Sequence, residues 1–168
     1  MTPRSDICGV SRFSRVCPST RIQGRHDTYP MRRGVTRMPE PLAAGVPVGF
    51  GHDCVMDPWY SLGSGDMLEV AHMGLHVAQM TSQAGMRACF DAVAAAPAAI
   101  LGHEGYGIAP GCHADLVLLQ ARESVEAIRL RATRLAVIRR GKVIARTPAA
   151  TATLDLPGRP GDTSFKLG

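Results

Sequence analysis

The chain has 168 residues, of which 45% are hydrophobic, 20% charged and 5% aromatic, with a formal net charge of +5. That length supports one domain with a real core and excludes a whole (β/α)8 barrel, which takes roughly 250 residues. Residues 1–40 hold eight arginines against three acids, whereas the remainder balances eleven basic residues with eleven acidic ones; scattered arginines accompanied only by Phe13 and Tyr29 do not make a nucleic-acid surface, which needs a basic stripe interleaved with stacking aromatics.

Residues 1–21 show no sustained hydrophobic period and read as irregular. Residues 22–34 read as an ordered polar loop punctuated by Gly24, Pro30 and Gly34. A short helix broken by Pro39 and Pro41 is predicted over 35–44. Gly45 then leads into a strand at Val46–Phe50, whose near-continuous apolar run suits burial on both faces. Residues 57–64 form a loop containing Pro58, Gly63 and the single tryptophan, Trp59.

Ser64 or Asp66 is placed to cap a helix running to about Gln79. Its predicted buried face is Met67, Val70, Ala71, Gly74, Val77 and Ala78, which recur at helical spacing. A second helix is predicted over 86–95, ending before Pro97, with a short helical turn at 98–102. Beyond Gly105 the character changes to β. Strands are predicted at Ala114–Leu119, Leu135–Arg139 and Lys142–Arg146, with Arg140-Gly141 as a tight hairpin turn. A further strand is predicted at Thr151–Leu156.

The five cysteines are odd in number and widely spaced, with no C-x-x-C pair. That pattern indicates neither a zinc knuckle nor a disulfide framework, and a reducing, cytoplasmic location is the expectation. No apolar run approaches the ~20 residues of a membrane span, and the N-terminus lacks the apolar centre of a secretory signal.

The residues that carry chemistry begin at Val48. An apolar run ends abruptly in Gly51-His52-Asp53, which places a carboxylate where a buried strand emerges into a loop. In α/β barrels catalytic groups stand at such strand ends. A carboxylate there can hold a metal and take a proton from metal-bound water. His52 is expected on the opposite side of the strand end, in a supporting hydrogen-bond role. His72 and His76 share a helical face at zinc-compatible spacing. No glutamate follows the first of them as in H-E-x-x-H, and a packed pair is the expectation. Asp66 and Glu69 read as helix-start acids, Asp115 as a residue that fixes a strand entry, and Cys89 as a small core residue. Arg25, Asp27, Arg32 and Arg33 read either as organisers of the 22–34 loop or as a surface cluster.

Two motif blocks carry a family resemblance. The first is Q-G-R-H-D-T-Y-P-M-R-R-G-V-T-R (23–37) followed by G-H-D-C-V-M-D-P-W-Y (51–60). The second is G-I-A-P-G-C-H-A-D-L-V (107–117) followed by V-I-R-R-G-K-V-I (137–144). From Ile22 onward the chain resembles the C-terminal part of the amidohydrolase superfamily, and specifically its bacterial cytosine deaminases.

The resemblance implies an α/β fold: the last units of a distorted (β/α)8 barrel over 22–104, then strands of an accessory β-sandwich over 105–168. It implies hydrolytic removal of the exocyclic amine of cytosine, or of a related cyclic amidine, with one divalent ion, iron or zinc. Asp53 matches the family's metal-ligating, proton-shuttling aspartate. Cys54 and Trp59 match positions at the pyrimidine pocket, although family members carry a second aspartate where Cys54 stands. Ala96 likewise replaces the usual Asn before Pro97.

The family's H-x-H pair, its two further histidines, its glutamate and its substrate-binding glutamine find no match in these 168 residues. The chain is therefore expected to be a C-terminal portion, inactive by itself and holding metal weakly. The partners implied are a small-molecule pyrimidine or cyclic amidine and a second copy of the chain, with neither nucleic acid nor membrane. The competing reading is a non-catalytic assembly partner whose exposed sheet edges pair with another chain.

Overall fold

The computed structural model describes residues 37–53, 55–56 and 62–159. These residues form a mixed α/β arrangement of five helices and a three-stranded sheet, with the core gathered mainly on three of the helices and the 48–50 segment. The predicted irregular start (1–21) and polar loop (22–34) lie outside the described residues, as do Arg25, Asp27, Arg32 and Arg33.

Helix α1 (Pro39–Ala43) contains both prolines rather than being broken by them. They fall within its first turn, where backbone N–H groups have no intrahelical partner, so their missing donors cost nothing. The chain reverses at Gly45, whose φ of 72° suits a residue without a Cβ.

Segment 46–50 departs from expectation. It is not a strand of any sheet among the described residues, where the only sheet is formed further along the chain. Val48, Gly49 and Phe50 are nonetheless buried. The Phe50 N–H donates to the Ala92 carbonyl at 2.7 Å. A Cβ at Gly49 would lie 3.3 Å from both Pro97 and Ile100, so backbone and helix meet closely there. The expected burial holds for Val48–Phe50 but not for Val46 and Pro47, which are exposed, and burial alone does not supply a ladder partner.

Helix α2 (Met67–Val77) begins at Asp66, whose Oδ1 accepts the N–H of Leu68 at 2.7 Å and of Glu69 at 3.4 Å. Its buried stripe is Leu68, Val70, Ala71, Gly74 and Leu75. The predicted stripe is thus rotated: Leu68 and Leu75 are inside, and Val77 is exposed. Helix α3 (Gln83–Asp91) starts three residues before the prediction because Ser82 caps it, its Oγ accepting the Gly85 N–H at 3.0 Å. Helix α4 (Ala95–Ile100) takes Pro97 into its first turn, where the ring again displaces no hydrogen bond.

The sheet is antiparallel in the order β1-β2-β3, with β1 at Leu116–Leu119, β2 at Arg134–Arg139 and β3 at Lys142–Arg146. Arg140 (φ 48°) and Gly141 (φ 76°) form the two-residue turn between β2 and β3, as predicted. Two successive left-handed residues match the twist of the flanking strands. Asp115 fixes the entry to β1, accepting the Arg140 N–H at 2.5 Å and the Arg139 guanidinium at 3.0 Å. The expected strand at 151–156 reduces to a single bridge residue, Thr153.

Between β1 and β2 lies helix α5 (Ser124–Leu130), for which the sequence carries no strong periodic signal. It packs on α2 and α3 and buries Ile128 completely. The core gathers Met38, Val48, Phe50, Leu68, Val70, Ala71, Leu75, Cys89, Ala92 and Ile128. Cys89 is a core residue as expected, and burial pushes its thiol up to about 11.

Candidate active site

Asp53 is exposed and its φ is 67°. Aspartate tolerates this left-handed conformation better than most residues, but the position still costs energy, and such positions concentrate at functional sites. His52, one residue earlier, is buried. His52 Nε2 accepts the backbone N–H of Gly65 at 3.3 Å. That bond joins the backbone at Gly65 to His52. An accepting Nε2 assigns the hydrogen of the neutral ring to Nδ1.

Asp66, beside Gly65, is held by an ion pair that sequence reasoning missed. Arg134 of β2 grips the Asp66 carboxylate with both guanidinium nitrogens, one to Oδ2 at 2.9 Å and the other to Oδ1. Asp66 therefore caps α2 and ties it to the sheet. The Arg134 hydrogen bond holds its carboxyl below the usual carboxylate range against the opposing effect of burial. Nothing local to Arg134 signals this role, because its partner lies 68 residues away.

Cys54 and Trp59 lie outside the described residues. Among the described residues no group of three or more His, Cys, Asp and Glu is arranged to hold a metal. Asp53 alone supplies one carboxylate, whereas a catalytic zinc takes about three protein ligands. The described residues do not by themselves make the metal centre. A mostly apolar cleft of about 440 Å³ separates α2, α3 and α4 from the sheet, lined among others by Met67, Phe90, Val93, Tyr106, Leu116 and Arg134. Asp53 does not line it. His72 and His76 form an edge-on pair with ring centroids 4.7 Å apart, as expected from their spacing.

The amidohydrolase family profile matches residues 7–145, and the chain belongs to that family. It is 38% identical over 141 residues to the pterin deaminase of Rhizobium rhizogenes, covering 83% of this chain and 32% of that protein. It is 31% identical over 112 residues to the N-isopropylammelide isopropyl amidohydrolase of Pseudomonas sp. strain ADP, covering 66% of this chain and 28% of that one. Among solved structures it is similar to the 5-methylcytosine deaminase of Klebsiella pneumoniae crystallised with 5-fluorocytosine. The TM-score is 0.75 and the identity 38%, over 85% of this chain and 35% of that one. The chain spans about a third of the length of these relatives. Among the described residues, no helix is long and apolar enough to cross a membrane.

Proposed function

We propose that this chain is the part of a hydrolytic deaminase that contributes Asp53 to a metal-dependent active site, acting on the exocyclic amine of a small cyclic amidine. The observation that carries this reading is Asp53 itself: an exposed carboxylate in a strained backbone position, at the end of a buried apolar segment, with His52 bonded to the Gly65 backbone and Asp66 held by Arg134. The divalent ion of the family, iron or zinc, supplies an activated water when bound. Asp53 has two tasks: to offer one oxygen as a ligand and to hold the proton that the attacking water gives up. Its co-ligands come from residues other than those described.

The substrate class follows from two relatives. The 5-methylcytosine deaminase favours a cytosine-like ring, and the pterin deaminase favours a fused pyrimidine carrying the same amidine. Both present an exocyclic amine on a ring carbon flanked by nitrogen, and Cys54 and Trp59 are the proposed contacts to that ring. Cysteine in place of a second acid removes a charged acceptor, which suits a substrate other than plain cytosine. We place residues 22–104 in the last barrel units and 105–168 in the accessory sheet. Val117, Leu118, Val143 and Ile144 are exposed on that sheet and give it an apolar surface for contact with further protein, a second copy included.

A chimera tests the reading. Residues 37–159 replace the corresponding third of the Klebsiella 5-methylcytosine deaminase, and the chimera is assayed against cytosine, 5-methylcytosine, pterin and N-isopropylammelide with added iron or zinc. The chimera is expected to release ammonia from cytosine, 5-methylcytosine or pterin, or isopropylamine from N-isopropylammelide. Asp53→Ala in it should lower turnover roughly 10²- to 10⁴-fold, the usual range for a positioned proton acceptor. The 168-residue chain alone is expected to show none. Full turnover in the Asp53→Ala chimera refutes the assignment.

A further inference from the structure

His72 and His76 stand one helical turn apart on α2 and share a face. Their ring centroids are 4.7 Å apart and the rings cross at 71°. His72 Nδ1 lies 3.2 Å from the carbonyl oxygen of Ile128. That oxygen belongs to the last turn of α5 and also accepts the Arg131 N–H at 3.1 Å. A carbonyl only accepts, so Nδ1 carries the ring hydrogen, and in the neutral ring the lone pair is left on Nε2. Metal-ligating histidines are oriented in this way: one nitrogen donates to a carbonyl or carboxylate, which fixes the tautomer, and the other binds the ion.

The spacing fits as well. Two imidazoles that hold one ion at about 2.0–2.1 Å with a near-tetrahedral angle have centroids roughly 5 Å apart. His76 is exposed, so solvent and a solvated ion reach its ring.

We propose that His72 Nε2 and His76 chelate a borderline divalent transition-metal ion, of the zinc, nickel and copper class, on α2 beside the end of α5. Imidazole donors select these ions over magnesium and calcium. No third His, Cys, Asp or Glu joins the pair among the described residues. Water therefore completes the shell, and the ion exchanges readily. Binding clips two successive turns of α2 and reinforces the contact that joins α2 to α5. These residues are distinct from Asp53, and the site stands or falls apart from the deaminase reading.

The test uses the full 168-residue chain, its His76→Ala variant and its Asp53→Ala variant. Each is titrated with zinc, nickel, copper and magnesium at neutral pH and followed by calorimetry and thermal melting. The parent chain and Asp53→Ala are expected to bind zinc, nickel and copper, copper most tightly, and to melt at higher temperature when loaded. Magnesium should leave both unchanged. In His76→Ala the affinity should fall by at least the roughly tenfold that loss of an outer-shell partner costs, and the melting shift should vanish. His76 is exposed, so the metal-free Tm of that variant should match the parent's, which separates a lost ligand from a lost fold. No response in the parent chain, an undiminished response in His76→Ala, or a response lost in Asp53→Ala overturns the proposal.

Discussion

Phe50→Ala is expected to destabilise the chain by about 3–5 kcal/mol, the range for removing a buried aromatic ring. The ring is only 4% exposed and lies in the core between the 46–50 segment and α2. Its partner is a glycine. A Cβ placed on Gly74 would stand 2.6 Å from Phe50 Cε2 and 3.0 Å from Cζ, inside van der Waals contact. Gly74→Ala is therefore expected to destabilise as well, although it improves helix propensity by roughly 0.5–1 kcal/mol. Overpacking a tight core costs about 1–3 kcal/mol, so the clash outweighs the propensity. Combining Gly74→Ala with Phe50→Leu tests the geometry, because a smaller side chain at 50 makes room for the methyl. Urea unfolding of the two single variants and the double variant should show strong non-additivity, with the double variant more stable than the sum predicts. Additive losses would mean that the ring and the glycine do not meet. Phe50 precedes Asp53 by three residues, so a shifted ring also disturbs the proposed site.

The Asp66–Arg134 pair is the second large effect. Asp66→Ala removes a helix cap, worth typically about 1 kcal/mol, and leaves a half-buried guanidinium without its carboxylate. Breaking a partly buried pair from one side adds to the loss, and a total of about 2–4 kcal/mol is expected. Asp66→Asn keeps the cap and loses the charge, and should cost less. A double-mutant cycle with Arg134→Met should give a coupling of about 1–3 kcal/mol, as for a charge-assisted bidentate contact. No coupling would reduce the pair to two independent surface residues.

The pH dependence has a definite sign. The Asp66 carboxyl is depressed in the folded state, chiefly by the Arg134 hydrogen bond. Its contribution is complete above the unfolded value of about 4 and is lost as pH falls through the lower folded value. The stability difference between the parent chain and Asp66→Asn should therefore shrink in strong acid and stay constant from mildly acid to neutral pH.

Local patterns explain which elements were legible in advance. Ser64 or Asp66 before an amphipathic run announced α2, with Asp66 the one that caps it, and Arg140-Gly141 between β-prone runs announced the β2–β3 hairpin, because capping and turn chemistry act over a few residues. Helix α5 was overlooked although Val125 and Ile128 stand at helical spacing and both are buried. Seven residues offer too little periodicity to outweigh β-prone neighbours on both sides. The 46–50 run signalled burial, but not whether another strand lay beside it, since pairing depends on residues distant in sequence.

The sequence by itself determined the family, through the two motif blocks, and it singled out Asp53, because a carboxylate after an apolar run is a short-range pattern. It also pointed to His52 as the supporting, hydrogen-bonding neighbour of Asp53, and His52 is buried while Asp53 is exposed. Only the tertiary structure decided what holds that loop. The bond from Gly65 to His52 spans 13 residues, the grip of Arg134 on Asp66 spans 68, and the contact from His72 to Ile128 spans 56. Contacts of that range arise when separately formed elements pack, and no window along the chain contains both partners.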